Sequence, residues 1–515
     1  MSNTEYDVII IGAGMGGLIT GAILAREAGM KVLVLEKEVQ TGGRTISFGR
    51  HHPQPNAKEY RERLARCASL SIVDSSHSLE EIIDEKKIFK NHILDGGWHG
   101  ASSNDRSRFA VLARSLGERL EMAPQIGFLF WDHDKGDWSE LAEMTKNWSA
   151  QSARDRSRIA FERATISNDE AREKYAHVSV REYLESLTDD QKILDYYLTM
   201  AKFQSGINDV ERISAGEWIV VNNMTAAAGR HLTKGGGMGD VSGGFRMISV
   251  TFQNALEKAG GELWLNSKVE ELIIKDHKAV GVVAEINGER RDIYAKNIIS
   301  NIPMFQAHKV IPEELWPWEF NERIKNIKSM PGILGHVKLK RPVEPTRNPK
   351  GMFVIDHLPG IKLRGQGGKP EEPVYGFEQT SIIDPPRLDG DGVILQTWVG
   401  VSDKDPDEVN NRELMKKLSD TKFDFMRQVY PDWDDNVEWM IMVKGTVYGI
   451  NPGPGEVYDR YLPHTHPTIG NLFFTGDTVY MNDYGTNGAA HSAVLAAGAV
   501  TGVDYLSRLL PPMLR

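Results

Sequence analysis

Tyr6-Asp-Val-Ile-Ile-Ile-Gly-Ala-Gly-Met-Gly-Gly-Leu18 decides how the chain begins to fold. Val8 to Ile11 is an unbroken apolar, mostly β-branched run, the pattern of a central strand covered on both faces. Gly12, Gly14 and Gly17 follow with GxGxxG spacing, and Leu18 to Ala28 then reads as a helix stopped by Gly29. Met30 to Leu35 is a second buried strand, closed by the acid Glu36. Gly12 permits a tight turn, Gly14 lets the backbone approach a pyrophosphate, and Gly17 lets helix and strand pack closely. Unpaired N–H groups and the dipole at the helix start favour an anion there. Glu36, about twenty residues on, offers acceptor oxygens to a ribose. Strand, turn, helix, strand and acid in that order predict a Rossmann-like dinucleotide-binding unit.

The rest of the chain bounds the reading. Its 515 residues are too many for one simple core and suit two or three domains. With a net charge of −10 and no long lysine or arginine run, it lacks the basic footprint of a nucleic-acid binder. Cys67 is the single cysteine, which excludes an intrachain disulfide framework and any CxxC metal site and fits a reducing, cytoplasmic setting. Val8 to Ala25 carries no charge, but five glycines interrupt it and the acids Glu5 and Asp7 precede it, so neither a signal peptide nor a membrane span is expected.

Two further glycine turns bear on the cofactor. Gln40-Thr-Gly-Gly-Arg-Thr sets Gly42, Gly43 and Arg44 soon after Glu36, where the backbone can pass close to the cofactor and Arg44 can offer a planar fork to phosphate oxygens. Near the other end, Asn471-Leu-Phe-Phe-Thr-Gly-Asp-Thr puts a short apolar strand before Gly476 and Asp477. Gly485-Thr-Asn-Gly-Ala-Ala then opens an alanine-rich helix from about Ala489 to Val500. Free N–H groups near Asn487, Gly488 and Ala489 would face the carbonyl edge of a flavin and favour the negative charge that reduction places there.

Together, GAGMGGL…VLEKEVQTGGRTIS at the start and FFTGDT…GTNGAAHSAVLAAG at the end resemble the FAD-dependent family of phytoene desaturases, carotenoid isomerases and flavin amine oxidases. The middle agrees: Gly235 to Ile248 leads into an amphipathic helix, followed by Gly260-Gly-Glu-Leu-Trp-Leu-Asn-Ser-Lys-Val-Glu-Glu-Leu, a hairpin at Val280-Gly-Val-Val-Ala-Glu-Ile-Asn-Gly and a closing strand at Ile298-Ile-Ser-Asn-Ile-Pro. The resemblance implies an α/β fold with a discontinuous FAD-binding domain at 1–90, 232–305 and 456–515, and a mixed α+β substrate domain at 91–231 and 306–455. It implies non-covalent FAD, with the backbone of Val269 at the adenine. The expected cofactor contacts are Gly12, Gly14, Met15, Gly16, Gly17, Glu36, Lys37, Gly43, Arg44, Val269, Gly476, Asp477, Asn487, Gly488 and Ala489. Leu94-Asp-Gly-Gly-Trp-His-Gly and a helix over Arg106 to Leu120 match the family's second glycine turn and the helix after it, which would bring Trp98 and His99 near the flavin. His99, Asp483 and Tyr484 are the candidates for moving a proton.

The chain also departs from the pattern. Residues 49–90 read as an insertion carrying His51, His52, Cys67 and a charged Leu79 to Lys87 helix: a lid, a partner surface or an oligomer contact. No metal is expected, because adjacent histidines do not easily share a tetrahedral ion with a distant cysteine. Gly485-Thr-Asn-Gly lacks the aromatic of an amine cage, and Cys67 lies far from the last motif, against a cysteinyl flavin. The desaturases' proline-rich ending is missing too.

Between 140 and 230 the sequence is helical, with a capping box at Ser179-Val-Arg-Glu182 and a core stripe of Val180, Tyr183, Leu184 and Leu187. Gly332-Ile-Leu-Gly-His-Val-Lys-Leu-Lys and Gly392-Val-Ile-Leu-Gln-Thr-Trp-Val-Gly read as strands roofing the flavin, and Leu315-Trp-Pro-Trp-Glu-Phe320 as a pocket lip, a membrane-touching edge or an ordinary loop. The leading expectation is dehydrogenation of a lipophilic small molecule, with hydride passing to flavin N5 and electrons leaving to oxygen or a quinone. A redox-neutral isomerase or hydratase of an alkene or polyene is the alternative, and a lipid-binding escort of the same fold, without flavin chemistry, a third. Peripheral membrane contact and a homo-oligomer stay open.

Overall fold

The opening strand, Tyr6–Ile11, sends Val8 and Ile10 into one hydrophobic core and Ile9 and Ile11 into another, as a two-residue side-chain period requires. The structure, a computed structural model, describes residues 5–97, 100–102, 104–229, 238–327, 329–343, 348–357, 363–364, 370–371, 373–400, 411–449, 453–456, 462–483 and 485–515. On one side the opening strand pairs in parallel with Val32–Leu35, which pairs in turn with Glu262–Trp264; on the other it pairs with the far half of Glu289–Ser300, which also takes Leu472–Phe474 as a parallel neighbour. Ser267–Lys275, Lys278–Ile286 and the near half of Glu289–Ser300 complete this seven-stranded sheet as an antiparallel meander. Rossmann-like topology and a discontinuous chain path are thus both present, since the sheet draws strands from the beginning, middle and end.

Three helices cover one face: Met15–Glu27, Arg246–Lys258 and Gly485–Thr501. They approach closely because small residues sit at the contacts; a Cβ on Gly21 would lie 3.2 Å from the Cδ1 of Ile10. The first helix begins at Met15, ahead of the expected Leu18, and the last at Gly485, ahead of the expected Ala489.

The second large sheet has eight strands in the order Ser71–Ser75, Val437–Tyr448, Met330–Leu339, Val393–Gly400, Tyr375–Glu378, Met352–Ile355, Phe128–Asp132 and Asp137–Glu140. Its central pairs are antiparallel, with Leu334 opposite Trp398 and Val337 opposite Leu395. One face packs under the helix Arg412–Val429 through Met415, Leu418 and Met426; the other, bearing Leu334, Ile394, Trp398 and Ile441, turns toward the Ser47–Gly49/Ile93–Asp95 ribbon and the helix Ala57–Ala68. Both expected roof strands lie in this sheet.

The 49–90 stretch does not stay within the dinucleotide-binding region. Ser71–Ser75 forms an edge strand of the eight-stranded sheet, with Ser75 opposite Ile441, because Leu70, Val73 and the helix residues Tyr60 and Leu64 find their apolar partners there. Between 150 and 229 the chain is helical as expected, and the Ser179 capping box is complete: Ser179 Oγ accepts from the Glu182 N–H at 3.1 Å, and the Ser179 N–H donates to Glu182 Oε2 at 3.0 Å. Trp316 is buried against His466 and Phe474, whereas Trp318 is 76% exposed. Among the described residues, no helix is long and apolar enough to cross a membrane.

Candidate cofactor-binding and active site

Four parallel strands end at the same rim, and the residue after each carries the site. After Ile11 comes Gly12, whose N–H donates to the Leu35 carbonyl at 2.8 Å. After Leu35 comes Glu36, after Ser300 Asn301, and after Phe474 Thr475, whose N–H donates to the Ser300 carbonyl at 3.0 Å. The carboxyl ends of parallel strands are where open α/β sheets bind ligands. Here they open onto a cavity of about 630 Å³, within the usual range for a small-molecule or cofactor site. Gly12, Gly14, Met15, Gly16, Glu36, Lys37, Gly43, Arg44, Val269, Gly476, Asp477 and Ala489, all expected from sequence, line it.

Glu36 is buried, and its two oxygens accept from the Ala13 N–H at 2.7 Å and the Glu38 N–H at 2.9 Å. Burial pushes its carboxyl above the usual range, while those two donors pull it back. The Ser267–Lys275 strand stands next to it, because the Ser267 N–H donates to the Glu36 carbonyl at 2.8 Å and so delivers Val269 to the same end.

The glycine loop has no room for side chains. A Cβ on Gly17 would lie 2.2 Å from the Gly12 carbonyl oxygen, a backbone atom that cannot step aside. One on Gly16 would meet the Asn301 amide at 2.7 Å and the Gly476 backbone at 3.1 Å. Gly12 and Gly476 hold φ at +99° and +115°, outside what L side chains favour. Asn301 was not singled out from sequence. With its amide oriented to match the donor and acceptor it faces, it donates to the Thr475 carbonyl at 3.3 Å and accepts from the Gly17 N–H at 3.2 Å, bolting the glycine loop to the C-terminal turn. Its position directly after a closing strand was the available signal.

The first-turn N–H groups of the Met15–Glu27 helix have no carbonyl within the helix to meet. With a ribose-accepting carboxylate on one side and a second helix start at Gly485, Thr486 and Ala489 on the other, the donor set fits a dinucleotide carrying a second ring system.

Other expectations need correction. Arg44 spends one arm of its fork within the protein: its Nη2 donates to the Asp477 carboxylate, which also accepts from the Gly449 N–H at 2.8 Å. Both partners still line the cavity. Gly17 serves packing, and Asn487 and Gly488 face inward. The Asn487 side chain accepts from the Arg108 N–H at 2.9 Å, and a Cβ on Gly488 would lie 2.8 Å from the Asp483 carbonyl oxygen. The helix begins at Gly485, so these two residues are already inside its first turn. Buried Arg108, missed from sequence, donates to the carbonyls of Asn482, Asn487 and Leu514 at 3.2, 3.0 and 2.8 Å and fixes this turn. Asp483 is buried with φ at +72°. His99, Trp98 and Tyr484 lie outside the described residues, although Gly100 and Gly485, their neighbours in sequence, line the cavity. Cys67, remote in sequence from the last motif, also lines the cavity, at the Lys37–Glu38 end. His52 has both ring nitrogens engaged, with the Gly243 carbonyl at 2.7 Å and Arg246 at 3.3 Å, which leaves no lone pair for an ion.

Behind the site lies a buried charge network that no motif announces. Arg387 reaches Asp95 at 2.8 Å, Asp240 at 2.6 Å and Asp384 at 3.3 Å, all four side chains almost wholly buried. Asp95 also accepts from Ser47 Oγ at 2.6 Å and the Phe245 N–H at 3.0 Å, so it holds the Arg246–Lys258 helix to the Ser47–Gly49 ribbon. His336, Gln396 and Glu378 form a row across three strands of the eight-stranded sheet. His336 and Gln396 bond the backbone carbonyls of Asp95 and Gly97 at 2.8 and 2.9 Å, fixing the chain where it leaves the Ile93–Asp95 strand. Burial raises Glu378 well above the carboxylate range and Asp240 to about 7, since one guanidinium cannot compensate four buried carboxylates.

Comparison with known proteins agrees with this geometry. Residues 104–501 match the family model for flavin containing amine oxidoreductases, and residues 10–85 that for an NAD(P)-binding Rossmann-like domain. Prolycopene isomerase 1 of an Oncidium hybrid is 23% identical over 533 residues, covering 96% of this chain and 84% of the relative. The inactive all-trans-retinol 13,14-reductase of Danio rerio is 24% identical over 346 residues, and the chain spans only 53% of its length. An oxidoreductase from Methanosarcina mazei superposes with a TM-score of 0.67 at 14% identity, over 94% of this chain and 98% of that one.

Proposed function

Because the chain belongs to the flavin-containing amine oxidoreductase family, we propose that it holds FAD non-covalently in this cavity and dehydrogenates a lipophilic small molecule. The observation that carries the reading is the convergence of Gly12, Glu36, Asn301 and Gly476 on one cavity that also receives a second helix start at Gly485. When bound, the flavin would supply the redox chemistry, taking up at N5 a hydride from a substrate carbon as the neighbouring carbon loses a proton and a double bond forms between them.

The chain's own residues supply binding, orientation and charge. Glu36 accepts from the ribose, and the first N–H groups of the Met15–Glu27 helix take the diphosphate. The start of the Gly485–Thr501 helix, fixed by Arg108, favours negative charge on the reduced ring. Asp483, with His99 and Tyr484 beside the cavity-lining Gly100 and Gly485, are the groups we assign to the proton. Oxygen or a quinone would reoxidise the flavin. We place the protein in the cytoplasm, where its one cysteine stays reduced.

A redox-neutral isomerisation is the second reading, favoured by the near full-length match to a prolycopene isomerase. The visible absorption spectrum of the purified protein, before and after heat or acid denaturation, tests the first step. A flavin band released into the supernatant is the expected result; no flavin after incubation with FAD would sink the reading and promote a lipid-binding role. Substrate conversion without any acceptor would select the isomerase.

A further inference from the structure

Residues 57–75 do more than join two glycine turns. The helix Ala57–Ala68 is seated by Tyr60 and Leu64, both fully buried against Phe48, Phe89 and the apolar face of the eight-stranded sheet. It ends at Ser69 in a left-handed turn with φ of 55°, whose N–H returns to the Leu64 carbonyl. That turn lies so close to the Val437–Tyr448 strand that a Cβ on Gly445 would sit 2.4 Å from the Ser69 carbonyl oxygen. The chain then enters the sheet as its edge strand Ser71–Ser75. One end of the segment is therefore held rigidly by the second sheet.

The other end reaches the cofactor cavity. Arg66 and Cys67 line the wall beside Glu36, Lys37 and Glu38. Glu38 is only 8% exposed and needs a cationic partner; Arg66 provides a two-pronged one, Nε to Oε1 at 3.0 Å and Nη2 to Oε2 at 3.1 Å. The Asn266 N–H donates to the Glu38 carbonyl at 3.1 Å, so this clasp is continuous with the strand that carries Val269. The wall so formed sets Lys37 and Arg66 beside the buried Glu36 carboxylate, which has lone pairs to accept from ribose hydroxyls. Its continuity with the Val269 strand puts it at the adenosine end of the dinucleotide reading.

We infer that residues 57–75 are a clamp for the adenosine half of the cofactor, locked by the Arg66–Glu38 clasp and tied to the substrate sheet by the strand Ser71–Ser75. The inference rests on the dinucleotide reading above and adds a binding wall that the glycine motifs do not contain. It also gives the two sheets a mechanical link at the end of the cavity remote from Gly485.

The chain's one cysteine, Cys67, reports on this wall directly. Burial, with Glu38 and Glu36 beside it, pushes its thiol up to about 12, so basal labelling by a maleimide is slow and readily followed. With cofactor-free protein, ADP and FAD are each expected to slow labelling about tenfold and FMN to leave it unchanged, with Cys67→Ser as the blank. Arg66→Met is expected to weaken ADP and FAD binding about tenfold, with Arg66→Lys recovering part of the loss. The wild-type experiment needs no variant, so it decides the matter even where Arg66→Met fails to fold. Flavin uptake with Cys67 labelled at the same rate with and without ADP overturns the clamp and leaves the flavin reading intact. Protection by ADP in a chain that takes up no flavin does the reverse, keeping the clamp for another adenine dinucleotide.

Discussion

The two large sheets are both buried on both faces, yet they treat polar groups in opposite ways. In the parallel part of the first, Tyr6–Ile11 and Val32–Leu35 hold nothing polar in their cores beyond Asp7 near the start, and the chemistry gathers just past the strand tips at Gly12, Glu36, Asn301 and Thr475. In the second, His336 and Gln396 in mid-strand and Glu378 at a strand end share a buried face, answered from below by Asp95, Asp240, Asp384 and Arg387. A parallel sheet aims all its carboxyl ends at one rim and can keep its interior dry. An antiparallel sheet has no such common rim, so polar groups that meet the other domain must cross its face and be neutralised there. The first sheet therefore separates stability from chemistry, and the second mixes them.

If that contrast holds, the largest effect comes from the second sheet. Arg387→Met leaves the buried Asp95, Asp240 and Asp384 without their shared cation and is expected to cost about 3–5 kcal/mol, read by chemical denaturation. Next, Gly17→Ala drives a Cβ against the Gly12 carbonyl at 2.2 Å; a cost of about 1–3 kcal/mol should come with loss of flavin uptake in the absorption spectrum.

The charge network under the second sheet should also make stability depend on pH. Asp240, raised by burial from 3.8 to about 7, holds a proton when folded that the unfolded chain has released. Its stabilising contribution is therefore full below the free-carboxyl value and is lost as pH rises through about 7. Denaturation midpoints on either side of that window should show the fall. Asp384→Asn, which removes one of the carboxylates that disfavour ionisation of Asp240, should make it shallower. The smallest effect is at the first sheet's rim: Asn301→Ala should cost about 1 kcal/mol of stability while weakening flavin retention, measured by dialysis. An Asn301→Ala loss as large as that of Arg387→Met would erase the distinction between the sheets.

The same contrast explains what could be read in the sequence. GxGxxG, Glu36, the second glycine turn and the TGD turn are local patterns, each set by backbone geometry within a few residues, and they lead to cavity-lining positions. Arg44 lined the cavity as expected but its partner, Asp477, was invisible, because the pairing joins residues at opposite ends of the chain. Arg108, Arg387 and the His336–Gln396–Glu378 row were missed for that reason: a buried charge is intelligible only when strand register and domain docking show what faces it. The inward turn of the Asn487 side chain was hidden because the helix starts at Gly485, before its alanine run, and its partner Arg108 is remote in sequence. The 49–90 stretch looked like an insertion because its partners, the edge of one sheet and the cavity of the other, are both remote in sequence.

One consequence concerns how the molecule is made. The strand Glu289–Ser300 joins a local hairpin through its first half, but its second half needs the opening strand on one side and Leu472–Phe474 on the other. During synthesis the Met15–Glu27 helix thus waits, apolar face uncovered, for the Gly485–Thr501 helix to emerge. A ribosome-bound chain short of that helix should interact with chaperones, and the ability to retain flavin should arrive late and all at once.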